Sequence, residues 1–308
     1  MHSAAGDRTG RGEDLGKLGQ VALLQGRYSV AEDYMQQALA LLRVVGDLQG
    51  QSNCLSTLGQ ITLRKGEYAI AEAYLREALD LDRGIGDPQA EGIELNLLGR
   101  IALSQGKYAE AEEQLQQALP LLREVGDLQR EGTCLGTLGQ VAIRREQYVE
   151  AEGYVGQALA LDREVGDPQG EGGDLSLLGQ IALRRGQYGV AEDYLQQAMT
   201  LHRQIGDRRW ETRSLLSLGN VAEASGDAER AEENYRDSLA IAIDRDLGPD
   251  IAAAQLALGR ILAERGSAKE ASCALLVEAA RRFSTMGMPE AEEAREAAHR
   301  SGCANMPF

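Results

Sequence analysis

From Asp47 to Gly86 the chain reads DLQGQSNCLSTLGQITLRKGEYAIAEAYLREALDLDRGIG, and similar stretches of forty residues precede and follow it. The pair Leu58-Gly59 recurs without any change of spacing, at Leu18-Gly19, Leu98-Gly99, Leu138-Gly139, Leu178-Gly179, Leu218-Gly219 and Leu258-Gly259. An alanine follows each of these leucines by thirteen residues, as Ala71 follows Leu58. A fixed period of this length indicates one small unit stacked many times.

The apolar pattern of one repeat predicts two helices. Leu55, Leu58 and Ile61 stand at helical spacing and define a first helix, helix A, which ends at the glycine-containing segment 65–67. A second helix, helix B, runs through the rest of the repeat. Helix B carries these apolar residues at helical spacing: Tyr68, Ala71, Leu75, Ala78 and Leu79. The small residues among them predict that helices A and B approach closely.

The junction between repeats has its own signals. Gly86 suits the end of helix B, Asp87 suits the N-cap of the next helix A, and Pro88 suits its first turn. The order Leu-Gly, Gly-x-Tyr, Ala, Ala-Leu resembles the tetratricopeptide repeat, a helix–turn–helix unit. The forty-residue spacing is similar to the long variety in the Leu-Gly-Asn adaptor and kinesin light chains. The segment LLREVGD, residues 121–127, resembles segments in the tetratricopeptide arrays of bacterial signalling ATPases and transcription regulators.

The chain departs from that family pattern at two places. The aromatic residue expected early in helix A is leucine here, at Leu55, Leu95 and Leu135. The proline expected at the end of helix B is replaced by arginine, at Arg83, Arg123 and Arg163. Helix B should therefore continue further than in the common pattern.

The resemblance implies an all-α fold, a right-handed α-solenoid or superhelix of about seven helix–turn–helix repeats. We expect residues 1–8 to form a leader, residues 9–286 to form the repeat array, and residues 287–308 to form a capping helix and tail. The cap is predicted at Glu290 to Arg300, where alanines and charged residues offer one apolar and one polar face. We expect the segment from Ser301 to Phe308 to be frayed.

Charge and composition exclude several classes of function. The net charge is −16, which argues against nucleic acid, because binding phosphates requires an excess of Lys and Arg. No apolar run is long enough to span a membrane, and no signal-peptide pattern precedes the repeats. Three scattered histidines and the absence of Cys-x-x-Cys predict no metal site, and no phosphate-binding loop is found. We expect no cofactor, no catalytic residue and no enzymatic activity.

The cysteines bear on the compartment. Cys54 and Cys134 occupy the same position of the forty-residue repeat, and positions related in this way are called a column below. The two cysteines are two repeats apart, which is too far for a disulfide. We therefore expect reduced thiols and a cytoplasmic protein.

In tetratricopeptide arrays helix A lines the concave surface, so its polar columns are the candidate binding residues. The candidate peptide-binding groove consists of Asn53, Gln60, Arg64, Asn96, Arg100, Gln140, Arg144, Gln180, Arg184, Arg213 and Asn220. The charged residues of this set are all arginines, so the predicted surface is positively charged in a protein that is acidic overall. Amide and guanidinium groups can bind a peptide backbone and its carboxylates, so we expect a protein or peptide partner with acidic residues. The alternative is that these side chains are simply soluble surface residues.

Two further features have competing interpretations. The helix B column that begins with Glu32, Glu72 and Glu112 is interpreted as a solvated acidic ridge with i,i+4 ion pairs, rather than as a catalytic row.

Trp210, the single tryptophan, is either an interface anchor or, as we favour, packed against its neighbouring loop.

The function predicted from the sequence is a non-enzymatic protein–protein interaction scaffold that holds an extended or helical peptide in its concave groove. The alternative is a sensor or autoinhibitory array of a larger bacterial signalling ATPase or transcription regulator. We expect a monomer, with end-to-end self-association as a further alternative.

Overall fold

A computed structural model describes the backbone of residues 2–266, 268–286 and 288–303, and the side chains of the same ranges from residue 8 onward. Within these ranges the chain forms fifteen α-helices and no strand. The fold is all-α and has the paired-helix order of a repeat solenoid.

The helices are numbered in chain order. The first helix of each repeat is α1 (His2–Leu24), α3 (Leu48–Arg64), α5 (Pro88–Ser104), α7 (Leu128–Arg144), α9 (Pro168–Arg184), α11 (Arg208–Ala224) or α13 (Gly248–Glu264). The second helix is α2 (Tyr28–Val45), α4 (Tyr68–Ile85), α6 (Tyr108–Glu124), α8 (Tyr148–Val165), α10 (Tyr188–Gln204), α12 (Ala228–Asp244) or α14 (Lys269–Thr285). The final helix is α15 (Glu290–Arg300).

The helices group into two compact units, a first unit Met1–Leu161 and a second unit Asp162–Phe308. In the first unit α1, α3, α5 and α7 contact one another in succession, and in the second unit α9, α11, α13 and α15 do so. The even-numbered helices α2, α4 and α6 of the first unit do not contact one another, nor do α10, α12 and α14 of the second, as far as their described residues are concerned. The odd-numbered layer is therefore the more closely spaced one, and its uncovered surface is the concave side of each unit.

The turns between helices form as the sequence predicts. Gly86 adopts the left-handed conformation, with a φ of 78°, and ends α4. The Asp87 carboxylate accepts a hydrogen bond from the backbone N–H of Ala90 at 3.0 Å and caps α5, and Pro88 lies in the first turn. Because α4 continues past Arg83 to Ile85, the predicted extension of helix B is also confirmed.

The arginines that replace the family's proline join successive repeats. Each pairs with a glutamate eight residues later, at the start of the next odd-numbered helix: Arg83–Glu91 at 2.8 Å, Arg123–Glu131 at 2.7 Å, Arg163–Glu171 at 2.7 Å and Arg203–Glu211 at 2.8 Å. The longer second helix thus brings a cation to the next repeat.

Helices occupy both ends of the described chain. Helix α1 starts at His2 and continues to Leu24, so it includes residues of the segment predicted as a leader. Helix α15 spans the residues predicted for the cap and buries four alanines, Ala291, Ala294, Ala297 and Ala298. The predicted tail residues 304–308 lie outside the described ranges.

The prediction that all cysteines are reduced is wrong for one pair. Cys273 of α14 and Cys303, just after α15, form a disulfide with a Cα–Cα distance of 5.4 Å. Sequence columns compare only equivalent positions of different repeats, so they do not show that the cap folds back onto α14. Cys54 and Cys134 are free and buried, as expected.

Small residues at the crossing of each helix pair decide how closely the two helices pack. A Cβ atom placed on Gly99 of α5 would lie 2.7 Å from the Leu115 side chain and 3.3 Å from the Ala111 carbonyl oxygen of α6. Gly179 of α9 meets Leu195 and Ala191 in the same way. Ala111 and Ala191 are fully buried.

Replacing Ala111 by Leu should lower the free energy of unfolding by ~1–3 kcal/mol, because the added atoms have no space at this crossing. Urea denaturation followed by circular dichroism measures the change. Ala109→Leu, at an exposed position of the same helix, is the matched control. Equal stability of the Ala111→Leu protein and the wild type would contradict the assignment of this crossing.

The disulfide should stabilise the cap, because α15 is short and buries only alanines. For a sequence separation of 30 residues we expect its loss to cost about 3–4 kcal/mol in the second unit. Dithiothreitol should lower the melting temperature of the wild type and leave the Cys273→Ser/Cys303→Ser variant unchanged. A wild-type melting curve that is insensitive to reductant would show that the bond does not hold the cap.

Candidate functional site

The predicted groove residues of the first unit lie on the concave side of α3, α5 and α7. Asn53, Arg64, Arg100, Gln140 and Arg144 are exposed. Gln60 is half-buried between its neighbours. Asn96 is an error in the predicted set, because its side chain is only 7% exposed and lies inside the helix layer. The equivalent positions of the next two repeats, Gly136 and Ser176, are buried as well.

The exposed arginines of this surface have no carboxylate partner. Most basic side chains of the chain form ion pairs, as Arg123 does with Glu131. Among the described side chains, Arg64, Arg100 and Arg144 form none. Desolvation is the main cause that lowers the pKa of Arg100, and the nearby charge of Arg64 lowers it further.

The surroundings of these arginines also lack acidic groups. We define the arginine face as the exposed and half-exposed side chains within residues 53–64 of α3, 93–104 of α5 and 133–144 of α7. The single carboxylate in these segments is Glu94, which is buried. The arginine face is therefore cationic in a chain whose net charge is −16.

The groove residues of the second unit are used differently. Gln180 and Arg184 of α9 are exposed, and Arg184 has no ion pair among the described residues. Arg213, in contrast, pairs with Asp250 at 2.9 Å. Asn220 accepts a hydrogen bond from the Tyr235 hydroxyl at 2.8 Å. Arg213 and Asn220 thus serve contacts within the unit, which sequence columns do not reveal.

Tyr235 is the centre of a polar network in this unit. Glu223 lies 2.5 Å from the same hydroxyl and is a second acceptor for its single proton, and Arg260 pairs with the other Glu223 oxygen at 2.8 Å. Arg260 also reaches Glu293 of α15 at 3.5 Å. Burial and then the bond to Glu223 raise the pKa of Tyr235. The network joins α11, α12, α13 and α15, so this part of the concave surface is internally neutralised.

Trp210 packs within the second unit rather than standing free. Its ring stacks on His202 with centroids 5.5 Å apart, and the Arg213 guanidinium lies 5.3 Å from the ring centroid. His202 is fully buried and hydrogen bonds to Ser214 at 3.1 Å. The favoured prediction of a packing role agrees with these contacts, although the stacking partner is a buried histidine that the sequence analysis missed.

The glutamate column on the second helices forms surface ion pairs. Glu72 pairs with Arg76 at 2.7 Å and Glu232 pairs with Arg236 at 2.6 Å, both in the predicted i,i+4 arrangement. Glu32 additionally pairs with Lys65 of the next repeat at 3.0 Å. The column is a paired ridge, in agreement with its non-catalytic interpretation.

Buried carboxyl groups at two repeat junctions were missed by the sequence analysis. In the first unit, burial and the charge of Asp82 raise the pKa of Glu94 to about 8. In the second unit, burial and the charge of Asp162 raise the pKa of Asp174 to about 8. Asp162 and Asp174 share a hydrogen bond, and burial followed by the charge of Asp167 raises the pKa of Asp162 to about 6. The only signal in the sequence is an acidic residue in columns that hold Cys54 or Cys134 in other repeats.

These groups predict that alkali destabilises the protein. Carboxyl groups of the unfolded chain release their protons near pH 4, whereas Glu94 and Asp174 keep theirs in the fold up to about pH 8. Between these values the folded state binds more protons, so the free energy of unfolding should fall as pH rises from about 5 to about 8. Each group contributes at most about 1.4 kcal/mol per pH unit. Urea titrations across this range provide the measurement.

Asp174→Asn should reduce that slope, because the amide cannot ionise. Asp193→Asn, at an exposed position of α10, is the control and should leave the slope unchanged. A slope that is identical in the wild type and the Asp174→Asn variant would refute a proton-binding role for this junction.

Among the described residues, no helix is long and apolar enough to cross a membrane. Within the same ranges, no group of three or more His, Cys, Asp or Glu side chains is placed to hold a metal ion.

The comparisons with known proteins give a consistent picture. Two family models described as tetratricopeptide repeat match the chain, one over residues 10–84, 91–164 and 175–244, the other over residues 57–124 and 213–287. No curated protein matches the sequence.

Solved structures resemble the chain in fold. The apo form of RapI is 13% identical with a TM-score of 0.73, and the match covers 89% of this chain and 99% of that one. The Rap conjugation gene regulator of plasmid pLS20, in complex with the Phr* peptide, is 14% identical with a TM-score of 0.67, covering 94% and 75%. A STAND signal-transduction ATPase with a tetratricopeptide repeat sensor from Pyrococcus horikoshii is 19% identical with a TM-score of 0.67, covering 86% and 40%.

Proposed function

The chain belongs to the tetratricopeptide repeat family, and on this premise we propose that it is a non-enzymatic interaction scaffold that captures an acidic peptide segment of a partner protein. The peptide lies on the concave side of the odd-numbered helices. Arg64, Arg100 and Arg144 bind its carboxylates, while Gln60 and Gln140 bind its backbone or polar side chains. In the second unit Gln180 and Arg184 play the equivalent part.

The observation that carries this proposal is the combination of unpaired arginines and missing carboxylates on the arginine face. A surface cation without a partner gains little for the fold, and like charges that face each other oppose folding. Most of the other arginines in this acidic chain form ion pairs, as Arg83 does with Glu91. A row of free cations is therefore best explained by an anionic partner.

The similar structures support a peptide as the partner. One of them is a Rap regulator solved in complex with the Phr* peptide. Arg213 and Asn220 are not included in the proposed binding set, because their contacts to Asp250 and Tyr235 occupy them.

A second candidate function is that of a sensor array in a larger signalling ATPase. The similarity to the STAND protein from Pyrococcus horikoshii, of which this chain matches 40%, favours it. Under this proposal the same face binds the signal that releases the ATPase. Covalent continuity with a nucleotide-binding segment would decide for this candidate.

The compartment stays a prediction. The expectation of a cytoplasmic protein drew partly on reduced cysteines, and the Cys273–Cys303 disulfide removes that ground, since such bonds are more typical of oxidising compartments.

The triple variant Arg100→Glu/Arg144→Glu/Arg184→Glu should abolish capture of an acidic peptide. Each change replaces an attractive charge with a repulsive one, and each lost charge-assisted contact is worth about 1.5–3 kcal/mol. A library of acidic peptides, read by fluorescence anisotropy at low salt, supplies the ligand and measures its affinity.

The matched control is Arg76→Glu/Arg236→Glu/Arg300→Glu, which changes the net charge equally at exposed positions of even-numbered helices and the cap. This control should keep most of the affinity. If the concave variant binds the selected peptide as tightly as the wild type, the proposed groove is wrong.

A further inference from the structure

A row of aliphatic side chains accompanies the arginines of the first unit. Leu63, Leu103 and Ile143 occupy one column, next to the column of Arg64 and Arg144, and all three are half-buried. Leu63 and Leu103 pack with their inner atoms against the hydrophobic core of this unit. Their outer atoms remain in contact with solvent, so the arginine face offers an apolar row beside a cationic row.

The spacing of these rows follows from the helix layer. Helices α3, α5 and α7 contact one another in succession, and packed helices lie about 8–10 Å apart. A ligand that crosses the three helices therefore meets one aliphatic side chain of this column about every 8–10 Å. Each helix also carries one arginine of the arginine face: Arg64, Arg100 or Arg144. To contact all three helices in the same way, the ligand must place equivalent side chains on one of its faces at that interval.

Regular peptide conformations differ in how they match this interval. An α-helix returns to the same face after seven residues, a rise of about 10.5 Å, which is just above this interval. An extended strand alternates faces and repeats after about 6.6 or 13 Å, both of which are further from it. A polyproline II segment repeats after three residues, about 9.3 Å, which lies within the interval. Its repeat of three residues, however, leaves little room for both an apolar and an acidic position on one face, whereas seven helical residues supply both.

We propose that the arginine face binds an amphipathic acidic α-helix of the partner, with aliphatic residues at i, i+7 and i+14 over Leu63, Leu103 and Ile143. Acidic residues flank that stripe and meet Arg64, Arg100 and Arg144. This inference rests on the proposed function and makes it specific. Charge complementarity selects the occupant, since the chain is acidic elsewhere and this face has no exposed carboxylate.

The test uses 21-residue synthetic peptides of three heptads and the full chain. The first peptide has Leu at the first position of each heptad and Glu at the two flanking positions. The second contains the same residues with proline at the centre, which breaks the helix. The third contains the same residues with the leucines moved off the heptad spacing, and the fourth has Lys in place of Glu. Fluorescence anisotropy at low salt gives each affinity.

We expect the first peptide to bind at least tenfold more tightly than the second and third, and the fourth not to bind. Circular dichroism should show additional helix when the first peptide binds. Leu103→Ser should weaken its binding about tenfold, the equivalent of about 1.4 kcal/mol of apolar contact. Val149→Ser, at a position that is 76% exposed on α8, is the matched control and should leave the affinity unchanged.

The outcomes separate this inference from the function on which it rests. Equal binding of the first three peptides, lost in the Arg100→Glu/Arg144→Glu variant, would overturn the helical partner and leave acidic-peptide capture standing. Preference for the proline peptide would assign a polyproline II ligand and overturn the inference as well. No binding of any Glu peptide, or equal binding of the Lys peptide, would overturn both. The peptide series gives its result even if Leu103→Ser fails to fold.

Discussion

The close crossing of the two helices in each repeat is the constraint on which the rest of this structure depends. Gly99 has no room for a side chain against Leu115, and Ala111 is fully buried at the same crossing. The backbone of one helix lies directly against side chains of the other at this crossing. The larger apolar residues fill the space on either side of the crossing. The crossing repeats at Gly179 and Leu195 in the second unit, so the same geometry is built again from the same residues.

Once the pairs are formed, the junctions between repeats decide which surface remains free. Ion pairs such as Arg83–Glu91 hold the end of one repeat to the start of the next. The odd-numbered helices contact one another and leave one face uncovered in each unit. In the first unit this face keeps Arg64 and Arg100 without carboxylates. In the second unit Tyr235 and its partners fill part of the equivalent surface with internal hydrogen bonds.

The period predicted the exposure of many candidate residues, because exposure in a repeat protein follows the column. Gln140 and Arg144 are exposed, as their columns predict. Asn96 is buried instead, and no member of its column is exposed. The repeat pattern also does not show that the side chains of Arg213 and Asn220 already have partners within the protein. Their partners, Asp250 and Tyr235, lie on other helices, and no column relates them to the groove.

By itself the sequence determined the helix pairs, their caps, the close crossings and the family, because each of these depends on residues at fixed short spacings. Only the tertiary structure decided that Cys303 folds back onto Cys273, that Glu94 and Asp174 are buried, and which arginines are free. Those properties depend on contacts between helices that lie tens of residues apart. A repeat pattern shows which residue types occupy a given position. The burial of that position and the charges around it depend on which other helices the fold packs against it.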